Sequence, residues 1–95
     1  MRGYVIFEIE ITNPQRYEDY KKMVPPTLER FGGHFVVRGG KIETLEGDWS
    51  PKRLGVIEFP SVDQAREWYN SPDYAPAKKL RQETSRGKLL IVEGV

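Results

Sequence analysis

Tyr4-Val5-Ile6-Phe7-Glu8-Ile9-Glu10-Ile11-Thr12-Asn13-Pro14 carries two signals that decide how the rest of the chain is read. β-Branched and aromatic residues run from Tyr4 to Ile11 and predict a strand. Asn13 then suits an N-cap and Pro14 the first helical position, where its missing amide costs nothing. The strand is apolar on both sides. Val5, Phe7, Ile9 and Ile11 make one face, yet Tyr4 and Ile6 occupy the other.

Working outward, Tyr17, Tyr20, Val24, Leu28 and Phe31 fall three or four apart and predict one face of a helix. Pro25-Pro26 is expected to kink or break that helix, because proline removes an amide donor and crowds the preceding turn. Gly32-Gly33 ends it. His34 to Arg38 reads as a second strand, with Gly39-Gly40 as a bulge or sharp bend and Lys41 to Glu46 continuing it. A turn-rich loop, Gly47-Asp48-Trp49-Ser50-Pro51, leads to a third strand from Arg53 to Phe59. Ser61-Val62-Asp63-Gln64 has the form of a capping box, opening a helix with Val62, Ala65, Trp68 and Tyr69 on its apolar side. Asn70-Ser71-Pro72 interrupts it, and a second segment carries Tyr74, Ala77, Leu80 and Arg81. Gly87 releases the chain into a last strand, Lys88 to Glu93. The order β-α-β-β-α-β predicts one α+β domain over residues 1–95. It is ferredoxin-like, a four-stranded antiparallel sheet with its helices on one face.

Helices on one side leave the other face of the sheet bare, and here that face is not polar. Leu54 and Val56 oppose Gly55, Ile57 and Phe59, while Leu90 and Val92 oppose Leu89 and Ile91. A second copy of the same sheet is the simplest cover, so a homodimer is expected. Strand parity puts Glu8, Glu58 and Glu93 on that face with His34 and Arg38. Counting back through the hairpin brings Arg38 near Glu58, where a charge-assisted pair braces the dimer.

Fifteen Lys and Arg nearly cancel fourteen Asp and Glu, and the charges are interleaved rather than gathered in a stripe. A nucleic-acid partner is therefore not expected. The absence of cysteine excludes disulfides and thiolate metal sites and fits a reducing compartment. No apolar run approaches a membrane span or a signal segment, so a cytoplasmic protein without a membrane partner is expected.

From Arg53 onward the sequence is specific. Arg53-Leu54-Gly55-Val56-Ile57-Glu58-Phe59-Pro60-Ser61, followed by Ala65, Trp68-Tyr69, Ser71-Pro72, Tyr74 and Leu80-Arg81, resembles the family known as domain of unknown function 1330. Gly32-Gly33, Val37-Arg38-Gly39-Gly40 and Glu46-Gly47-Asp48-Trp49 resemble its second-strand region. The resemblance spans about Gly3 to Gly94 and implies a dimeric α/β barrel. It implies no activity. Related barrels include cofactor-free monooxygenases, muconolactone isomerases and haem-degrading enzymes, an analogy at the level of fold alone.

Candidate chemistry is sparse. His34, the sole histidine, cannot assemble a zinc site of the usual kind, but its ordinary pKa suits a general base. Glu58 is the companion acid or base. Trp68, Tyr69, Tyr74 and Tyr20 are chiefly core, yet their polar tips need partners and the interrupted helices leave room for a cavity. With Arg38 they are the expected lining of a pocket for a small aromatic or polyketide-like molecule, and no cofactor is expected. Arg81 meets either a ligand carboxylate or a nearby acid such as Glu67. Nucleophile elbows and phosphate-binding glycine loops are absent. A non-catalytic dimeric module with a structural, stress-related or regulatory role is the alternative.

Overall fold

The computed structural model describes Met1–Val95. Strand β1 (Gly3–Ile11) leads through the Asn13 cap, whose side chain accepts from the Arg16 amide at 3.2 Å, into helix α1 (Pro14–Glu29). Strands β2 (His34–Arg38) and β3 (Leu54–Phe59) follow, then α2 (Val62–Tyr69), α3 (Ala75–Thr84) and β4 (Ser85–Glu93). Ser61 caps α2, its Oγ accepting from the Gln64 amide at 3.1 Å. The strands pair antiparallel in the order β2-β3-β1-β4. This is the ferredoxin-like fold, with the helices on one face. Val5, Phe7 and Ile9 of β1 and Ile57 and Phe59 of β3 pack on that face against Tyr17, Tyr20, Val24, Leu28, Trp68 and Tyr74.

Glu93 pairs with Gly3 on the helix-side parity of β1 and so does not share the outer face with Glu8 and Glu58. Four further local expectations change. Helix α1 runs continuously through Pro25 and Pro26. A proline at position 25 leaves the Lys21 carbonyl without its helical donor. The Arg38 guanidinium supplies one, its Nη2 donating to that oxygen at 2.8 Å. If this contact is what keeps the helix whole, Arg38→Ala costs about 1 kcal/mol. In a Pro25→Ala background, where an amide bonds the same carbonyl, the loss is expected to shrink. A urea-unfolding double-mutant cycle measures the difference.

The bulge lies at Val36, not at Gly39-Gly40. His34 pairs with Glu58 and Phe35 with Ile57, but Val37 pairs with Val56 and Arg38 with Gly55. Four steps on β2 match three on β3, so residues beyond Val36 change face. Arg38 is thereby carried to the helix side, where it lies over the Phe35 ring at 4.4 Å. It does not meet Glu58. The third change concerns Lys41 to Glu46, which continue no strand: β2 ends at Arg38, and an irregular, exposed segment leads to β3. The fourth is Gly87, which does not precede the last strand but lies inside it, opposite Ile9. A Cβ there would stand 2.2 Å from the Glu8 carbonyl oxygen, so only glycine permits this approach of the two strands.

Candidate functional site

The predicted site residues divide between the two faces of the sheet. On the face away from the helices, Glu58 receives Arg2 Nε at 3.0 Å and His34 Nε2 at 3.6 Å. Tyr4 sits directly across from Glu58, and hydrogen bonding to that carboxylate raises the Tyr4 phenol above its ordinary value. Arg2, His34 and Glu58 border an open concavity of about 440 Å3 that also touches Gly32, Pro60 and Val95. Arg2, outside every sequence motif, takes the role expected of Arg38. It was readable only as the residue extending β1 by one step on the outer face.

Tyr20, Trp68, Tyr69 and Tyr74 are brought together on the other side, between sheet and helices. Trp68 and Tyr74 lie 4.0 Å apart between ring centroids and are tilted, with Phe59 and Tyr69 against them. Their polar tips find partners inside the chain. Trp68 Nε1 donates to Thr27 Oγ1 at 2.9 Å, and the hydroxyls of Tyr20 and Tyr74 share a buried hydrogen bond at 3.0 Å. Burial pushes the Tyr20 phenol well above its ordinary value, with the Tyr74 hydroxyl adding to the shift, so Tyr20 stays neutral. The sheet separates this layer from His34 and Glu58. One small molecule lodged among the aromatics is therefore out of reach of that pair.

Helix α3 adds what the sequence placed only loosely. Tyr74 at its N-cap, then Ala77, Arg81 and Thr84, form the buried stripe of this helix, so a guanidinium occupies a core position. Arg81 is 6% exposed. Its Nε donates to the Tyr74 hydroxyl at 3.3 Å. Neither Glu67 nor any other acid forms a salt bridge with it. Burial works against its charge, but the hydroxyls of Tyr74, Tyr20 and Tyr69 outweigh that and hold Arg81 above its ordinary pKa. Arg53, just before β3, lies 5.7 Å from the Tyr17 ring centroid, and its buried Nε has no partner. At the β4 edge the same layer opens in a concavity of about 280 Å3 bounded by the hydrophobic residues Val5, Tyr69, Leu89, Leu90 and Ile91. No group of three or more His, Asp or Glu side chains gathers as metal ligands do, and no helix is long and apolar enough to cross a membrane.

The model of the family described as domain of unknown function (DUF1330) matches residues 2–95. The chain belongs to this family. DUF1330 membership agrees with the two-layer architecture, as do solved structures of similar shape. The RPA0582 protein of unknown function from Rhodopseudomonas palustris is 22% identical, with a TM-score of 0.77 over 99% of this chain and 82% of that one. SnoaB, a cofactor-independent oxygenase from Streptomyces nogalater, is 14% identical, with a TM-score of 0.70 over 99% of this chain and 93% of its own. A dimeric ferredoxin-like protein of unknown function from Jannaschia sp. CCS1 is 11% identical, with a TM-score of 0.73 over 99% and 100%. At these identities the likeness to the solved structures concerns the fold. No curated protein matches the DUF1330 chain in sequence.

Proposed function

We propose that this chain is a homodimer that binds a small organic molecule between its helices and its sheet, as a binding protein or a cofactor-independent enzyme. The observation that carries this reading is the opening lined by the hydrophobic residues Val5, Tyr69, Leu89, Leu90 and Ile91, with Tyr69 also packed against the Trp68–Tyr74 stack. Apolar walls with a few fixed hydroxyls nearby are the ordinary composition of a small-molecule site. Likeness of fold to a cofactor-independent oxygenase adds support by analogy. Dimerisation is supported by the bare sheet face, where Leu90 is 56% and Val92 43% exposed although both lie on a strand, and by a dimeric protein of the same fold. His34 and Glu58, on that same face, serve in this reading as dimer-side groups, not as acid and base for the ligand.

The non-catalytic alternative draws on one observation: Trp68, Tyr20 and Tyr74 already satisfy one another or Thr27, as core residues do. Calorimetric titration with 2-naphthol, a flat aromatic body with one hydroxyl, separates the two. Saturable binding at one per subunit is expected, weakened at least about tenfold when Leu89→Trp fills the opening. Absence of saturable heat overturns the binding reading and favours the alternative.

A further inference from the structure

We propose that the ligand is an organic acid with an aromatic or otherwise apolar body, and that Arg81 is the group that holds its carboxylate. The inference rests on the proposed binding between helices and sheet and names the class of molecule bound there. Position 81 lies in the middle of the stripe 74, 77, 81, 84. A leucine or methionine there would continue the core at no electrostatic cost, whereas a guanidinium must shed most of its water. Buried charges are ordinarily paired with an opposite charge. Arg81 has a single neutral partner, the Tyr74 hydroxyl, and no acid.

A second cation makes the imbalance larger. Arg53 lies 5.7 Å from the Tyr17 ring centroid, its buried Nε has no partner, and it too forms no salt bridge. The chain thus sets one guanidinium against Tyr17 and another against Tyr74 and supplies no acid to either. A ligand carboxylate supplies one. The planar guanidinium suits two-point recognition of a carboxylate, and the neutral Tyr20–Tyr74 hydroxyl pair, joined by one of its two protons, keeps a single O–H to donate beside it. Inorganic anions fit less well, because the opening at the β4 edge is lined by hydrophobic residues. Tyr69 connects the two regions. It lines that opening, its ring lies 6.1 Å from Tyr74, and Tyr74 in turn accepts from Arg81 Nε. A ligand entering from the β4 edge displaces the half-buried Tyr69 ring and reaches Arg81.

The test compares 2-naphthoate with 2-naphthamide, nearly equal in shape and different in charge, by calorimetry on the intact protein. Naphthoate is expected to bind at least tenfold tighter, and Arg81→Gln to bring the two to equal affinity. Circular dichroism establishes whether Arg81→Gln folds. Should it not fold, the wild-type Arg81 Nε–H resonance gives the second reading: it is expected to shift on adding naphthoate and not on adding naphthamide. Equal wild-type affinities, or an Arg81 resonance indifferent to naphthoate, overturn the organic-acid inference and leave the binding site standing. Failure of both compounds and of 2-naphthol to bind overturns the site and the inference with it.

Discussion

Trp68→Ala is expected to cost about 3–5 kcal/mol, the range for removing a large aromatic side chain from a well-packed core. Trp68 is 1% exposed and stacks between Phe59 and Tyr74, so its removal leaves a void lined by rings on both sides. The same change removes the indole donor to the Thr27 hydroxyl, which keeps only its own bond to the Val24 carbonyl at 2.6 Å. A small domain has about 5–15 kcal/mol of total stability, with short chains toward the lower end. The variant is therefore expected to be substantially unfolded at room temperature. Trp68→Phe keeps a ring but loses the indole donor and is expected to cost less, about 1–3 kcal/mol. Leu45→Ala, at an 85% exposed residue, is the control and is expected to change stability by no more than about 0.5 kcal/mol. Urea unfolding measures all three.

The second large effect is on assembly. Leu90 faces away from the helices, opposite Ile6 of β1, and is accessible in the single subunit. Leu90→Lys leaves the helix-side core untouched, so the fold is expected to survive, with far-ultraviolet circular dichroism unchanged. In a two-fold dimer packed through this face the lysine enters the interface twice. Placing an unpaired charge in a desolvated contact is expected to raise the dimer dissociation constant by at least about a hundredfold. Light scattering on a size-exclusion column reads the change. A dimer unaffected by the substitution means that another surface joins the subunits, and a wild-type monomer means that the bare face has another cover.

Much of this architecture could be read from local chemistry. Asn13-Pro14 and Ser61 to Gln64 announce helix starts because their side chains bond backbone amides only a few residues away. The apolar residues of β1 and β4 show their two faces directly because neither strand contains a bulge. Where reading failed, the deciding contact was distant in sequence. Nothing in Phe35-Val36-Val37 marks a bulge, since all three are apolar, while the conspicuous Gly39-Gly40 draws the break to the wrong place. That single slipped residue moved Arg38 to the opposite face and gave Arg2 its place beside Glu58. Pro25 is tolerated because Arg38, thirteen residues further on, supplies the missing donor.

The candidate site was partly legible for the same reason. Aromatic residues at helical spacing had to converge, and Tyr20, Trp68, Tyr69 and Tyr74 do. The parity of β2 and β3 before the bulge left His34 near either Glu58 or Glu93, of which the pairing gives Glu58, and did not show that the sheet parts them from the aromatics. Arg81 could be placed on an apolar stripe from spacing alone. Only three-dimensional packing shows that no acid reaches it.

The most direct measurement is a 1H–15N correlation spectrum of the protein titrated with 2-naphthol. The expected result is a set of shifts at Tyr69, Leu89, Ile91 and Tyr74, with His34 and Glu58 unmoved. Shifts confined to Arg2, His34 and Glu58, or none at saturating probe, would contradict a ligand site between the helices and the sheet.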